Sequence, residues 1–196
     1  KATLALLVGC ALCSGARAVS FDGLPAGTVF GFGRDLPGAE VHSEADGIRM
    51  SVENFVLGSS EFFFFAEVAG PATQPFATNA LSLDNISVRF DFADVPFTVN
   101  EVSFEFFDLG GSSNLAVNDA PLFILNPLST LPTNVAPGVT AIVSGGHITL
   151  VGPVQSVLIG GQELVIDNIN AVPEPVSGIL LTLASLACWK RRRTIR

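Results

Sequence analysis

Apolar and polar residues alternate along most of the chain between residues 19 and 171. The clearest stretch is 86–92, where four apolar residues alternate with three polar ones. A period of two places the apolar side chains on one face of a β-strand. The same alternation recurs in shorter stretches at residues 48–52, 102–106, 148–150, 157–159 and 164–166. The pattern predicts β-strands throughout this part of the chain.

Glycine-rich turn signals separate these stretches. They lie at residues 58–60, 110–113, 145–146 and 160–161. Short strands with a turn about every eight to twelve residues, and no helical period, are typical of a sandwich or barrel. We therefore predict an all-β domain, with a jelly-roll-like antiparallel β-sandwich as its fold.

Four consecutive phenylalanines at residues 62–65 break the alternation. Successive side chains of a strand point to opposite faces, so a strand with one buried face would expose two of these rings. Either the strand is buried on both faces or two rings are offered to a partner. We expect burial on both faces, because exposed apolar strands promote aggregation.

The first eighteen residues have the layout of a secretory signal peptide. A basic first residue precedes the apolar segment 2–12, and the small residues Ala16 and Ala18 follow it. We predict cleavage after Ala18, which assigns residues 1–18 to the signal. The alternative is lipoprotein processing, in which Cys10 is lipidated and becomes the new N-terminus.

The C-terminal residues 172–196 contain three elements in a fixed order. They are the motif Val172-Pro173-Glu174-Pro175, the apolar segment 176–189, and the basic residues Lys190, Arg191, Arg192 and Arg193. Proline fixes φ and removes a hydrogen-bond donor, so the motif is expected to be extended. As a helix, the apolar segment would be about 21 Å long, against about 30 Å for a bilayer core. This length suits a temporary anchor, and the basic residues would hold the C-terminus in the cytoplasm.

In order and spacing, these elements resemble the PEP-CTERM sorting tail, which a membrane-embedded exosortase is thought to cleave in polysaccharide-producing Gram-negative bacteria. The resemblance implies export across the inner membrane, transient membrane anchoring, and delivery to the cell surface or the extracellular space. Segments 21–27, 102–111 and 160–169 are also similar to other sorted proteins of this group. The alternative for the tail is a short helix that follows a proline-rich turn and ends in basic residues.

The predicted domain, residues 19–171, is strongly acidic and has no cysteine or lysine. Residues 19–172 contain seventeen acidic residues and three arginines, a formal charge of −14. Such a surface repels nucleic acid and anionic polysaccharide unless cations intervene, so we expect no nucleic-acid partner. We favour solubility as the role of this charge, and the alternative is collection of divalent cations.

One metal site is implied by a second resemblance. In jelly-roll modules that resemble carbohydrate-binding domains, the first and last strands often share a structural Ca²⁺. This resemblance implies Asp22 and Asp167 as ligands, with Glu163 and Asn168 as helpers, and oxygen ligands suit Ca²⁺. The alternative is that Asp22 begins a turn and Asp167 is a solvated residue at the end of a strand.

The domain lacks recognisable catalytic motifs. It has no nucleophile elbow, cysteine nucleophile, phosphate-binding loop or zinc-binding helix. All sixteen phenylalanines lie in the domain, which has neither Tyr nor Trp, the residues that usually stack on sugars. We therefore expect a non-catalytic binding or structural module that associates with exopolysaccharide, biofilm or other surface proteins. The alternative is a polysaccharide-modifying enzyme that uses an unrecognised pair of carboxylates.

Overall fold

The computed structural model describes residues 16–44 and 47–173. This part of the chain forms fourteen β-strands and two short 3₁₀ turns, and it contains no α-helix. The strands are β1 (Arg17–Val19), β2 (Val29–Gly31), β3 (Glu40–Ser43), β4 (Arg49–Leu57), β5 (Ser60–Phe62), β6 (Phe65–Ala69), β7 (Ala80–Asp84), β8 (Ile86–Asp91), β9 (Val99–Val117), β10 (Phe123–Leu125), β11 (Asn134–Ala136), β12 (Val139–Ser144), β13 (His147–Val151) and β14 (Ser156–Pro173). The prediction of an all-β domain is confirmed.

The two longest strands, β9 and β14, pair with each other along most of their length and organise the sheet. A first group of strands has the order β11-β12-β13-β9-β14-β7-β6-β2. A second group uses the other halves of the long strands: β10 pairs with β9, β8 pairs with β14, and β4 joins β8 to β3 and β5. All of these pairs are antiparallel.

The pairing partners of β9 and β14 change from the first group to the second group near glycines. The pairing of β9 with β14 shifts its register around Glu163, which lies two residues after Gly161 and opposite Gly110. The predicted turns at 110–113 and 160–161 are therefore wrong. These glycines lie inside strands, where they permit irregular pairing and close backbone approach instead of reversing the chain. The turn signals near Gly58 and Gly145 do lie at turns.

Both groups of strands bury side chains in one hydrophobic core. The second group contributes Val52 and Phe90, and the first group contributes Phe104 and Ile148. Each belongs to the set of alternate residues of its strand that face the core, as the period of two predicts. A shared core means that neither group buries its apolar face without the other.

The phenylalanine run does not form a single strand. β5 ends at Phe62 and β6 begins at Phe65, and these strands have different partners. Phe64 is 45% exposed and Phe65 is 40% exposed. The expectation that this segment is buried on both faces is therefore wrong, because the chain leaves one strand and enters another within the run.

The predicted targeting segments lie mostly outside the described residues. Cys10, Glu174, Pro175, the apolar segment 176–189 and the basic residues after it belong to the part that the structure does not describe. Within residues 16–44 and 47–173, no helix is long and apolar enough to cross a membrane.

Candidate functional site

The structure brings the two predicted calcium ligands close to each other. β1 pairs with the end of β14, with Val19 opposite Ile169. The chain then enters a 3₁₀ turn, Phe21–Gly23, which carries Asp22. Asp167 lies on β14 two residues before Ile169, and the charge of Asp22 acts on its carboxyl group. Val19, the one β1 residue that the predicted cleavage would keep, thus places the turn with Asp22 beside β14.

Hydrogen bonds hold Asp22 in place. The Ser20 hydroxyl donates to Asp22 Oδ2 over 2.9 Å, and the backbone N–H of Asn79 donates to Asp22 Oδ1 over 2.9 Å. The Asn79 side chain also donates to the carbonyl of Leu24 over 3.0 Å. Asp22 therefore joins the N-terminal segment to the residues that precede β7.

Asp167 is a buried carboxyl group, 1% exposed. The Thr78 hydroxyl donates to its Oδ2 over 3.0 Å, and the backbone N–H of Asn168 donates to its Oδ1 over 2.8 Å. Burial raises the pKa of Asp167, the two hydrogen bonds oppose that shift, and the charges of Asp22 and Glu105 add to it. The negative charge of this carboxylate is therefore incompletely compensated.

The two predicted helper residues differ in position. Glu163 lies opposite Gly110, four residues before Asp167 on the same strand. This separation is roughly 13 Å at the rise of a β-strand, so Glu163 is not part of the cluster. Asn168 is adjacent, and its side chain donates to Glu105 Oε2 over 3.0 Å.

Sequence reasoning missed Glu105. It lies directly opposite Asp167 in the pairing of β9 with β14, so the two carboxylates share one face of the sheet. The alternation at residues 102–106 predicts the strand that contains Glu105, but it does not predict the partner or the register of that strand. Only the register reveals that these acids are neighbours.

The cluster has only part of a Ca²⁺ coordination sphere. Ca²⁺ takes about six to eight oxygen ligands. In the described part of the chain, no group of three or more His, Cys, Asp or Glu side chains is placed to hold a metal. Asp22 and Asp167 could supply carboxylate oxygens, and backbone carbonyls and water would have to supply the others. Either a proton or a cation would relieve the charge of Asp167, and calcium stays a prediction.

A groove with a volume of about 370 Å³ lies on the second group of strands. Arg89 Nε contacts Glu53 Oε1 at 3.2 Å, and Asn54 Nδ2 donates to Glu61 Oε2 over 2.7 Å. The exposed carboxylate of Asp119 and the apolar side chains of Val56, Ala116, Ala120, Leu122 and Leu158 also line the groove. The groove thus combines hydrogen-bond acceptors with an apolar surface.

The predicted signal-cleavage and sorting residues meet at one place in the sheet. Ala18 lies in β1 opposite Asn170, so β1 begins before the predicted cleavage point. Ala16 and Ala18 are exposed. Val172 and Pro173 end β14 and lie opposite Glu101 and Val99 of β9. The first two residues of the sorting motif are therefore part of the folded sheet.

No protein-family model, curated protein or solved structure matches this chain.

Proposed function

We propose that this chain is an exported, exosortase-sorted protein of the cell surface or extracellular matrix, with a non-catalytic binding or structural role. The observation that carries this proposal is the C-terminal order of a Pro-Glu-Pro motif, an apolar segment and a basic end. In this proposal, the export machinery and an exosortase are its processing partners, and residues 176–189 anchor it to the membrane for a time.

The groove supports polysaccharide as the ligand. The carboxylates of Glu53, Glu61 and Asp119 accept hydrogen bonds, and sugar hydroxyls can donate them. The formal charge of −14 over residues 19–172 favours a neutral polysaccharide, or an anionic one that is bridged by divalent cations. Exopolysaccharide of the producing bacterium is the ligand that this chemistry and the sorting tail favour together.

The jelly-roll-like sandwich remains the fold that we propose for this module. The common core of the two groups of strands supports it, as does the pairing of the first strand with the last. A sandwich would place the groove on the outer face of the second group, where a long polymer has access.

The environment of Asp167 favours a non-catalytic role. A polysaccharide-modifying enzyme needs a carboxylic acid with a raised pKa beside a second carboxylate. Asp167 and Glu105 meet that electrostatic requirement, since the pKa of Asp167 is raised. However, Asp167 is 1% exposed, so a polymer has no access to its carboxyl group.

The intact mass of the protein recovered from the producing bacterium tests the sorting. We expect a chain that begins at Val19 and has lost its basic end. Deletion of the exosortase, or replacement of Pro173, Glu174 and Pro175 by alanine, should leave that end attached. A lipidated chain beginning at Cys10 would contradict the signal assignment. A chain that retains Arg196 in the presence of the exosortase would contradict the sorting.

A further inference from the structure

Four exposed apolar side chains lie close to each other along the chain fold of this acidic domain, beside the partly buried Phe63, which packs against the core. The phenylalanine patch consists of Phe32, Leu36, Phe63, Phe64 and Phe65. Phe32 is 73% exposed and Leu36 is 77% exposed, and they line a groove with Phe63. The backbone N–H of Phe32 donates to the carbonyl of Phe64 over 2.6 Å, which places the segment with Phe32 beside the segment with Phe64.

The loop that carries Phe32 and Leu36 is held by its own hydrogen bonds. The N–H groups of Arg34 and Asp35 donate to the carbonyl of Gly31 over 2.9 Å and 2.8 Å. Asp35 Oδ2 accepts the N–H of Gly31 over 2.8 Å. These hydrogen bonds define the turn, and both apolar side chains point into solvent. The oppositely charged Arg34 and Asp35 lie between them in the sequence.

These hydrogen bonds also close the free edge of β2. Backbone groups of successive residues in a strand point to opposite sides. Thr28 and Phe32 form hydrogen bonds with the β6 side, so the N–H and C=O groups of residues 29 and 31 point away from β6. The carbonyl of Val29 accepts from Arg34 Nη1 over 3.4 Å, and Gly31 has both its groups bonded within the loop. An extended strand from another chain therefore finds few free groups to pair with.

The patch is too small for a stable dimer of this chain. Taking about 200 Å² for each large apolar side chain, the exposed part of the patch is roughly 450 Å². A stable interface buries about 800 Å² on each partner. Two copies would also bring together two domains that each carry a formal charge of −14 between residues 19 and 172. Self-association is thus disfavoured by both area and charge.

A lipid surface requires neither free backbone groups nor the area of a protein–protein interface. It accepts apolar side chains without backbone pairing, and the strength of interfacial binding grows with the apolar area inserted, so a small patch gives weak and reversible docking. Phenylalanine and leucine also have no polar atom that must stay hydrated. An acidic domain is repelled by anionic lipid, so the charge selects a net-neutral bilayer.

We propose that the phenylalanine patch docks on a net-neutral phospholipid bilayer, with Phe32 and Leu36 inserted at the interface. This docking does not depend on cleavage by an exosortase. In a chain anchored through its tail, it would hold the β-domain against the membrane.

Tryptophan emission tests the docking in the full chain. Replacing Trp189, the only tryptophan, by phenylalanine removes the native signal, and Phe32→Trp then places a probe in the patch. Phosphatidylcholine vesicles should shift the emission of this probe to shorter wavelengths. Ile142→Trp in the same background is the matched control, because Ile142 is 58% exposed on β12, near the opposite end of the first group of strands. The control probe should not shift.

Two further measurements distinguish docking from other causes. Adding Leu36→Ser and Phe64→Ser to the probe chain should reduce the shift, as should phosphatidylglycerol in the vesicles. An emission that vesicles leave unchanged would overturn the proposal, and so would an equal shift at residue 142. A shift that grows with protein concentration without vesicles would overturn it in favour of a second copy as the partner.

Discussion

Asp167 shows how a single buried carboxyl group couples the domain to pH. Its pKa is raised because burial disfavours the charged form. A raised pKa means that the folded state binds the proton more tightly than the unfolded state does. The associated stability is fully present below the unfolded pKa and is lost as the pH rises through the folded value.

Replacing Asp167 by asparagine should remove the pH-dependent stability that this carboxyl group contributes. We expect the wild type's free energy of unfolding, relative to that of Asp167→Asn, to be larger at pH 4 than at pH 7. Urea denaturation at both pH values, in chelator, measures the difference. Asp119→Asn removes the same charge from an exposed position and is the control. A difference that is constant or grows with pH contradicts the proposed environment of Asp167.

Asn114 illustrates a role that composition does not reveal. It is fully buried, and its side chain takes the place of a strand partner for Val56. The N–H of Val56 donates to Asn114 Oδ1 over 2.7 Å, and Asn114 Nδ2 donates to the carbonyl of Val56 over 2.9 Å. Asn114 thereby fixes the end of β4 above β9.

The substitution Asn114→Ala should destabilise the domain by about 2–4 kcal/mol, because it leaves both backbone groups of Val56 without these bonds. Chemical denaturation gives the value. Asn170→Ala, which removes an exposed bond to the carbonyl of Asn168 two residues away, should cost less than about 0.5 kcal/mol. If both variants lose equal stability, the bridging role of Asn114 is wrong.

Among the elements, β14 depends on close contact at its glycines. A Cβ at Gly160 would lie 2.1 Å from Ser87 Oγ and 3.1 Å from the carbonyl oxygen of Ile86. A Cβ at Gly161 would lie 2.3 Å from Leu164 Cβ. These contacts explain why a glycine pair that resembles a turn signal lies within a continuous strand.

We expect Gly160→Ala to lower the unfolding free energy by about 1–3 kcal/mol, a typical cost of overpacking. Thermal and urea denaturation measure it. Adding Ser87→Ala should recover part of the loss, because it removes the nearest atom, and Ser87 Oγ has no hydrogen-bond partner in the described part of the chain. Gly23→Ala is the control, since a Cβ there meets no atom within 4 Å. Equal losses at both glycines would contradict the packing argument.

Asp22 and Asp167 both accept hydrogen bonds from the residues just before β7, and this contact is the place where calcium binding can be tested. If Ca²⁺ binds at Asp22 and Asp167, millimolar Ca²⁺ should raise the melting temperature relative to chelator, because binding to the folded state stabilises it. Asp22→Asn should abolish that rise, whereas Glu163→Gln should preserve it, because Glu163 lies outside the cluster. An unchanged melting temperature of the wild type would mean that hydrogen bonds alone hold the pair.

For the molecule as a unit, the sequence predicts local structure better than it predicts pairing. Residues 86–92 were recognised because one-sided burial imposes a period of two. The continuity of β9 and β14 was missed, because a glycine pair permits both a turn and an irregular strand. The proximity of Glu105 to Asp167 depends on register between strands about sixty residues apart, which no local pattern encodes. The phenylalanine run spans two strands, so the expectation of one strand buried on both faces is wrong.

The proposed function requires that the protein bind extracellular polysaccharide without degrading it. The most direct measurement is co-sedimentation of the mature protein with the extracellular polysaccharide of the producing organism, in calcium and in chelator, followed by measurement of polysaccharide chain length. We expect the protein to sediment with the polymer in calcium, and the chain length to stay unchanged. Protein that remains in the supernatant in both buffers, or a polymer that becomes shorter, would contradict a non-catalytic, polysaccharide-binding role.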